Sequence, residues 1–205
     1  MSDLDVIDHL VGIAPGSAMA AIRAQRVQAR DNAQNSYLAL FKPDIATAFS
    51  MVERFAVAVF VVELHRQPDI AAFYATGLTR QADGGALLPA ITADAGRGLT
   101  EGPYGRFPAG PLSVDDSEGP SFTAGSALGP RLAAALAHAH MLVFHPRDAS
   151  PAALRALEAA GWSVDGIVTL SQLVAFLSFQ IRVVVGLRAL AAAPAPAVTL
   201  AMETH

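Results

Sequence analysis

The sequence predicts an all-α protein of packed antiparallel helices, and three observations carry the prediction. Residues 167–190 form the longest apolar run, and Leu170, Leu173, Leu177, Ile181, Val184 and Arg188 fall on one helical stripe of it. Phe176, Phe179 and Val183 lie towards the opposite side, so the helix needs partners on more than one face and reads as the centre of the fold. Prolines and glycines punctuate the remaining apolar segments at helix-length intervals. The valine-rich stretch 55–62 has high β propensity, yet it lacks alternation into polar positions and is flanked by helix formers.

The elements follow in chain order. Residues 3–12 place Leu4, Ile7, Leu10 and Val11 at helical spacing before Gly12 and an Ala-Pro-Gly turn. Residues 18–40 read as one helix capped by Ser17, with Arg23, Arg26, Arg30 and Gln34 on its polar face, and segment 1–43 becomes an N-terminal arm. Segment 44–76 supplies the first core helices: Asp44 or Thr47 opens the first, and Ser50 with Glu53 matches a capping box that would start its regular part. Pro68 then separates a helix at 69–76 that buries Ile70, Phe73 and Tyr74. Segment 77–129 holds 11 of the 16 glycines and reads mostly as a long Gly/Pro-rich loop, with room for a short helix at 86–95. Tyr104, Phe107, Leu112 and Phe122 are its apolar anchors, as an ordered excursion over a cleft or a neighbouring subunit would require. Segment 130–190 returns to core helices, at 131–145 after Pro130, at 152–160 after Ser150-Pro151, and in the long apolar run; 191–205 is a tail.

Composition narrows the function. The 205 residues suit a single domain, and 53% hydrophobic against 16% charged residues leaves apolar surface for a homo-oligomer to cover. A formal net charge of −4 without any Lys/Arg-rich run gives nucleic acid no footprint. Gln172, Gln180, Arg182 and Arg188 make the long helix a poor membrane span, and the acidic N-terminus has no signal-peptide pattern, which together predict a cytoplasmic protein. There is no cysteine, so thiolate nucleophiles, disulfides and zinc-thiolate sites are excluded.

Candidate chemistry rests on few residues. His138 and His140 point about 200° apart on their helix, and His145 sits roughly 10 Å along the axis from His138, so this helix cannot hold a metal alone. No metal-ligand spacing, phosphate-binding glycine motif or nucleophile elbow occurs, and no metal or cofactor is expected. Glu53, His65, His138 and His140 are the candidate acid/base residues, with the capping box as the structural alternative for Glu53. Tyr104, Gln172 and Arg182 are the candidate contacts to a small organic ligand, Arg182 by offering a cation to a carboxylate.

Several stretches together resemble the carboxymuconolactone decarboxylase, or AhpD-like, superfamily and its peroxidase-related branch. They are residues 5–10 with 15–17, 23–26 with 32–37, 53–58, 103–105, and 161–168 running into 172–176. The resemblance implies a single all-α domain that assembles as a homo-oligomer. Active alkyl hydroperoxidases of this kind carry a Glu, a Cys-x-x-Cys pair and a His; Glu53 matches the first, but His65, Pro68 and Ala72 stand near the other positions. Thiol peroxidase activity is therefore not implied here. A cysteine-independent lyase or decarboxylase needs only a proton donor, an acceptor and a nearby cation, which Glu53, a histidine and Arg182 would supply. The alternative is a non-catalytic accessory protein that works beside an alkylhydroperoxidase-like partner in antioxidant defence.

Overall fold

The computed structural model describes residues 5–44 and 48–193, and it is all-α. The helices are α1 (Val6–Val11), α2 (Ala18–Ala24), α3 (Val27–Phe41), α4 (Met51–Leu64), α5 (Pro68–Thr79), α6 (Gly84–Gly98), α7 (Gly129–Phe144), α8 (Pro151–Ala159) and α9 (Val164–Ala192). The one β-type pairing among the described residues is an isolated bridge between Gly105 and Ser117.

The core is built around α4, which corrects the expectation that the long C-terminal run is the centre. Ten of the fourteen residues of α4 are buried, and it packs against α5, α6, α7 and α9. A helix apolar on all sides finds partners on all sides, and the valine-rich run is helical because those partners surround it. Ser50 caps it by accepting from the Glu53 N–H at 3.4 Å, while the Ser50 N–H donates to Glu53 Oε2 at 2.9 Å, as the capping box predicts. Arg54 is 2% exposed, and its guanidinium donates to the carbonyls of Phe49 (3.0 Å) and Leu40 (2.6 Å), which ties α4 to the C-terminal end of α3.

By contrast α9 buries one face, through Leu170, Leu173, Leu177, Ile181 and Val184, and leaves Val168, Phe179 and Val185 exposed. Phe176, expected opposite the buried stripe, is itself buried. Two segments, Ser126–Phe144 and Val164–Ala192, are long and apolar enough to cross a membrane by length and composition.

Two helix boundaries and one anchor differ from the sequence reading. The predicted helix 18–40 divides into α2 and α3 at Gln25 and Arg26. The Arg23 guanidinium reaches Asp5 and Asp8 at 2.8 Å each, so α2 docks on α1 instead of continuing along α3. The second difference lies in 77–129, where regular structure extends beyond the expected short helix: α5 runs on to Thr79, and the helix expected at 86–95 is α6, Gly84–Gly98, with Pro89 inside it. Glycine marks close packing there, because a Cβ on Gly84 would lie 2.0 Å from the Leu78 carbonyl oxygen. Third, Leu112 does not anchor the irregular segment that follows, since it is 57% exposed.

That segment is nonetheless ordered against the chain's own α7. Tyr104 Oη donates to the Pro120 carbonyl at 2.6 Å, Phe122 stacks on His140 with ring centroids 4.9 Å apart, and Gly105 and Ser117 exchange backbone hydrogen bonds of 2.8 and 3.3 Å. Further on, Ser150 caps α8 and Ser163 caps α9, each accepting from the N–H three residues later. The predicted tail contributes its first residues to the end of α9, and the rest lies outside the described residues. The same holds for Thr47 as a helix start.

Candidate functional site

A cavity of about 830 Å³ opens where α1, the C-terminal end of α3, the start of α4, α5 and the far end of α9 meet. This volume lies in the range of small-molecule sites. Its apolar wall is aromatic: Phe41 lies 5.0 Å from Phe55 and 5.3 Å from Tyr37, and Tyr37 lies 6.4 Å from Phe73. His9 faces Phe73 at 5.6 Å and is the one imidazole in the lining. These rings converge because α3 and α5 each present aromatic residues to the N-terminal end of α4, leaving the cleft between them.

The polar wall carries an excess of positive charge. Lys42, Arg80 and Arg188 line the cleft against the single carboxylate of Asp69, a surplus of two with His9 neutral. Arg188 is fixed, since its Nη2 donates to the Leu10 carbonyl at 2.6 Å and its Nη1 stands 3.6 Å from Asp69 Oδ2. Arg80, at the C-cap of α5, has no side-chain partner among the described residues. Gly77 makes the wall possible. A Cβ there would lie 2.2 Å from Cε1 of Phe55, so the ring packs directly against the helix backbone.

None of the seven sequence-predicted site residues lines this cleft. Glu53 is held by the cap and by Arg131, whose Nε donates to Glu53 Oε1 at 2.6 Å. Arg131 also donates to the carbonyls of Ala48 and Gly161 and lies 4.2 Å over the Trp162 ring, so Glu53 belongs to a clamp joining α4, α7 and the start of α9. No hydrogen bond links Glu53 to His65, His138 or His140 among the described residues.

The histidines part company as helix geometry requires. His65 ends α4 with Nε2 3.3 Å from Ser178 Oγ, and burial, with Arg182 nearby, lowers its pKa. His138 faces α9, where its Nε2 lies 3.4 Å from Ser171 Oγ. Because Ser171 donates its own proton to the Ile167 carbonyl at 3.0 Å, His138 is the donor to Ser171 and its buried Nδ1 is left as an acceptor with no partner. His140 turns the other way, donating from Nε2 to the Gly98 carbonyl at 2.9 Å, and its Nδ1 also lacks a partner. Burial is the main cause that lowers the pKa of both.

The three predicted ligand contacts also separate. Gln172 borders a groove of about 560 Å³ between α3 and α9, and Tyr104 borders a cavity of about 240 Å³ beneath the irregular segment. Arg182 is exposed and donates to the Ser178 carbonyl of its own helix at 2.9 Å. Among the described residues no group of three His, Cys, Asp or Glu side chains is placed to hold a metal ion.

Sequence reasoning missed the cleft because its walls come from distant segments. Its clearest linear sign was Arg188, a cation on the apolar stripe of α9 that needed a partner across the core. No protein-family model matches the chain, and no curated protein or solved structure matches it.

Proposed function

We propose that this protein binds a small organic acid with an aromatic or cyclic apolar body in the cleft between α1, α3, α5 and α9. The observation that carries the reading is the pairing of an aromatic wall with a surplus of two positive charges in one cavity of about 830 Å³. The apolar body would cover Phe41, Phe55 and Phe73, and the carboxylate would take Arg80, which is exposed and unengaged among the described residues. The resemblance to carboxymuconolactone decarboxylases is compatible with such a ligand. Under a lyase or decarboxylase reading, His9 replaces the Glu53 and histidine set as the proton-transfer group, because it alone of the imidazoles lines the cleft. A thiol peroxidase reaction lacks its nucleophile in this chain, which has no cysteine.

Calorimetric titration with benzoate, and with benzyl alcohol as the uncharged control, tests the reading. Benzoate should bind and the alcohol should not, and Arg80→Ala should weaken benzoate by about tenfold, or about 1.4 kcal/mol. Equal binding of the two compounds, or benzoate affinity indifferent to Arg80, refutes it.

A second reading is favoured by the outward face of α9, where Val168, Phe179 and Val185 are exposed. Exposed apolar side chains of this kind suit self-association, which would make the protein a homo-oligomer that also serves as a binding or accessory scaffold. Sedimentation as a monomer at micromolar concentration would exclude it.

A further inference from the structure

A second constellation lies at the C-terminal end of α7, away from the aromatic cleft. His145 Nδ1 and Asp148 Oδ2 are 2.9 Å apart, and Asp148 Oδ1 accepts the Arg106 N–H at 3.0 Å. The Tyr104 ring stacks on the imidazole with centroids 4.7 Å apart and planes 12° from parallel, and Tyr104 is itself fixed by its bond to the Pro120 carbonyl. His140 meets the ring edge-on at 5.6 Å. Position and plane of the imidazole are thus determined from three directions. Its Nε2 has no hydrogen-bond partner among the described residues and is not among the sealed, unpartnered nitrogens, while the ring borders the cavity of about 240 Å³.

A carboxylate on Nδ1 selects the tautomer in which Nε2 carries the lone pair. The cations around it are engaged elsewhere: Arg106 pairs with Glu118 at 3.0 Å, and Arg147 lies over Phe107 and donates to the carbonyls of Asp115 and Pro103. Chiefly the Arg106 N–H, and also His145, holds the Asp148 carboxyl below its usual pKa, so the carboxylate stays ionised beside the ring. Arg106, Glu118 and Asp148 leave the lining with one net negative charge, which disfavours an anion, and the cavity suits a small neutral substrate.

The geometry points to His145 as a general base that activates water against a small neutral carbonyl compound such as an ester, with Asp148 and Tyr104 as positioning residues. Nε2 takes a proton from water, the hydroxide oxygen bonds to the carbonyl carbon, and the carbon–oxygen bond to the leaving group breaks. The departing alkoxide or phenoxide recovers the proton, giving an acid and an alcohol.

Hydrolysis of p-nitrophenyl acetate by the full chain provides the assay. His145→Gln should lower the rate by about 100-fold, the lower end of what general-base catalysis contributes, while Glu158→Gln, exposed on α8, should leave it unchanged. Asp148→Asn should lower kcat with KM little altered and should abolish the Nδ1–H tautomer of His145 in imidazole ¹⁵N spectra; Asp148→Glu should restore part of both. A folded His145→Gln variant with undiminished rate, or an equal loss in Glu158→Gln, overturns the proposal. Diethyl pyrocarbonate treatment of the unaltered chain guards against misfolding of the variants. His145 should be acylated ahead of His138 and His140, and acylation of either of those first would also overturn it.

Discussion

Replacing Gly77 by alanine sets two opposed effects against each other at the wall of the aromatic cleft. Inside a helix, alanine is favoured over glycine by about 1 kcal/mol, and Gly77 lies within α5. The new Cβ would, however, stand 2.2, 2.6 and 2.8 Å from three carbons of the Phe55 ring. No real Cβ sits so close, so the ring must move, and its other neighbours constrain where: Phe41 lies 5.0 Å away and Phe55 is only 9% exposed. Forcing a methyl into a packed site costs about 1–3 kcal/mol. The net expectation is a loss of about 0–2 kcal/mol in urea unfolding, together with a displaced ring that narrows the cleft. Benzoate titrated into Gly77→Ala should therefore bind about tenfold more weakly, and adding Phe55→Leu should recover both stability and binding. A Gly77→Ala protein that gains the whole helix-propensity increment and binds benzoate like the parent would show that the ring does not rest on this glycine.

Two further outcomes follow from the core. Arg131→Ala removes a partly exposed ion pair, two carbonyl bonds and a cation–π contact at once, and should cost about 2–3 kcal/mol in chemical unfolding; Glu53→Gln, which keeps the cap, should cost less than about 1 kcal/mol, and a larger loss from Glu53→Gln would return that residue to a functional role. His138 and His140 are held neutral by burial, with pKa values below the ordinary 6.5. The unfolded chain takes up their protons first as pH falls, so stability is level above pH 6.5 and declines below it, by up to about 1.4 kcal/mol per pH unit for each histidine. Unfolding midpoints that stay flat from pH 7 to 5 would contradict this.

Local signals were legible wherever a residue's role depends on its neighbours in sequence. The Ser50–Glu53 capping box, the caps at Ser17 and Ser150, and the stop at Gly12 are all short-range chemistry, and all are present. The opposed directions of His138 and His140 likewise follow from helix geometry alone. The errors arose where a residue answers to something far along the chain. Gly84 stands in the stretch that reads mostly as loop, yet it lies in α6 and admits the Leu78 carbonyl; Arg23 stands on the expected polar face, yet it grips Asp5 and Asp8.

What the sequence determined by itself is the helical class, most helix limits and the absence of thiol chemistry, because periodicity, capping and composition are properties of short segments. Tertiary structure decided which helix is central and which residues share a cavity. The run 55–62 and the run 167–190 are both apolar enough to lie inside; only packing shows that α4 has neighbours on every side while α9 keeps an open face. The same holds for the sites. His9, Phe73 and Arg188 in one cleft, and Tyr104, His145 and Asp148 in another, meet only because helices far apart in sequence fold together, and linear spacing carries no record of that.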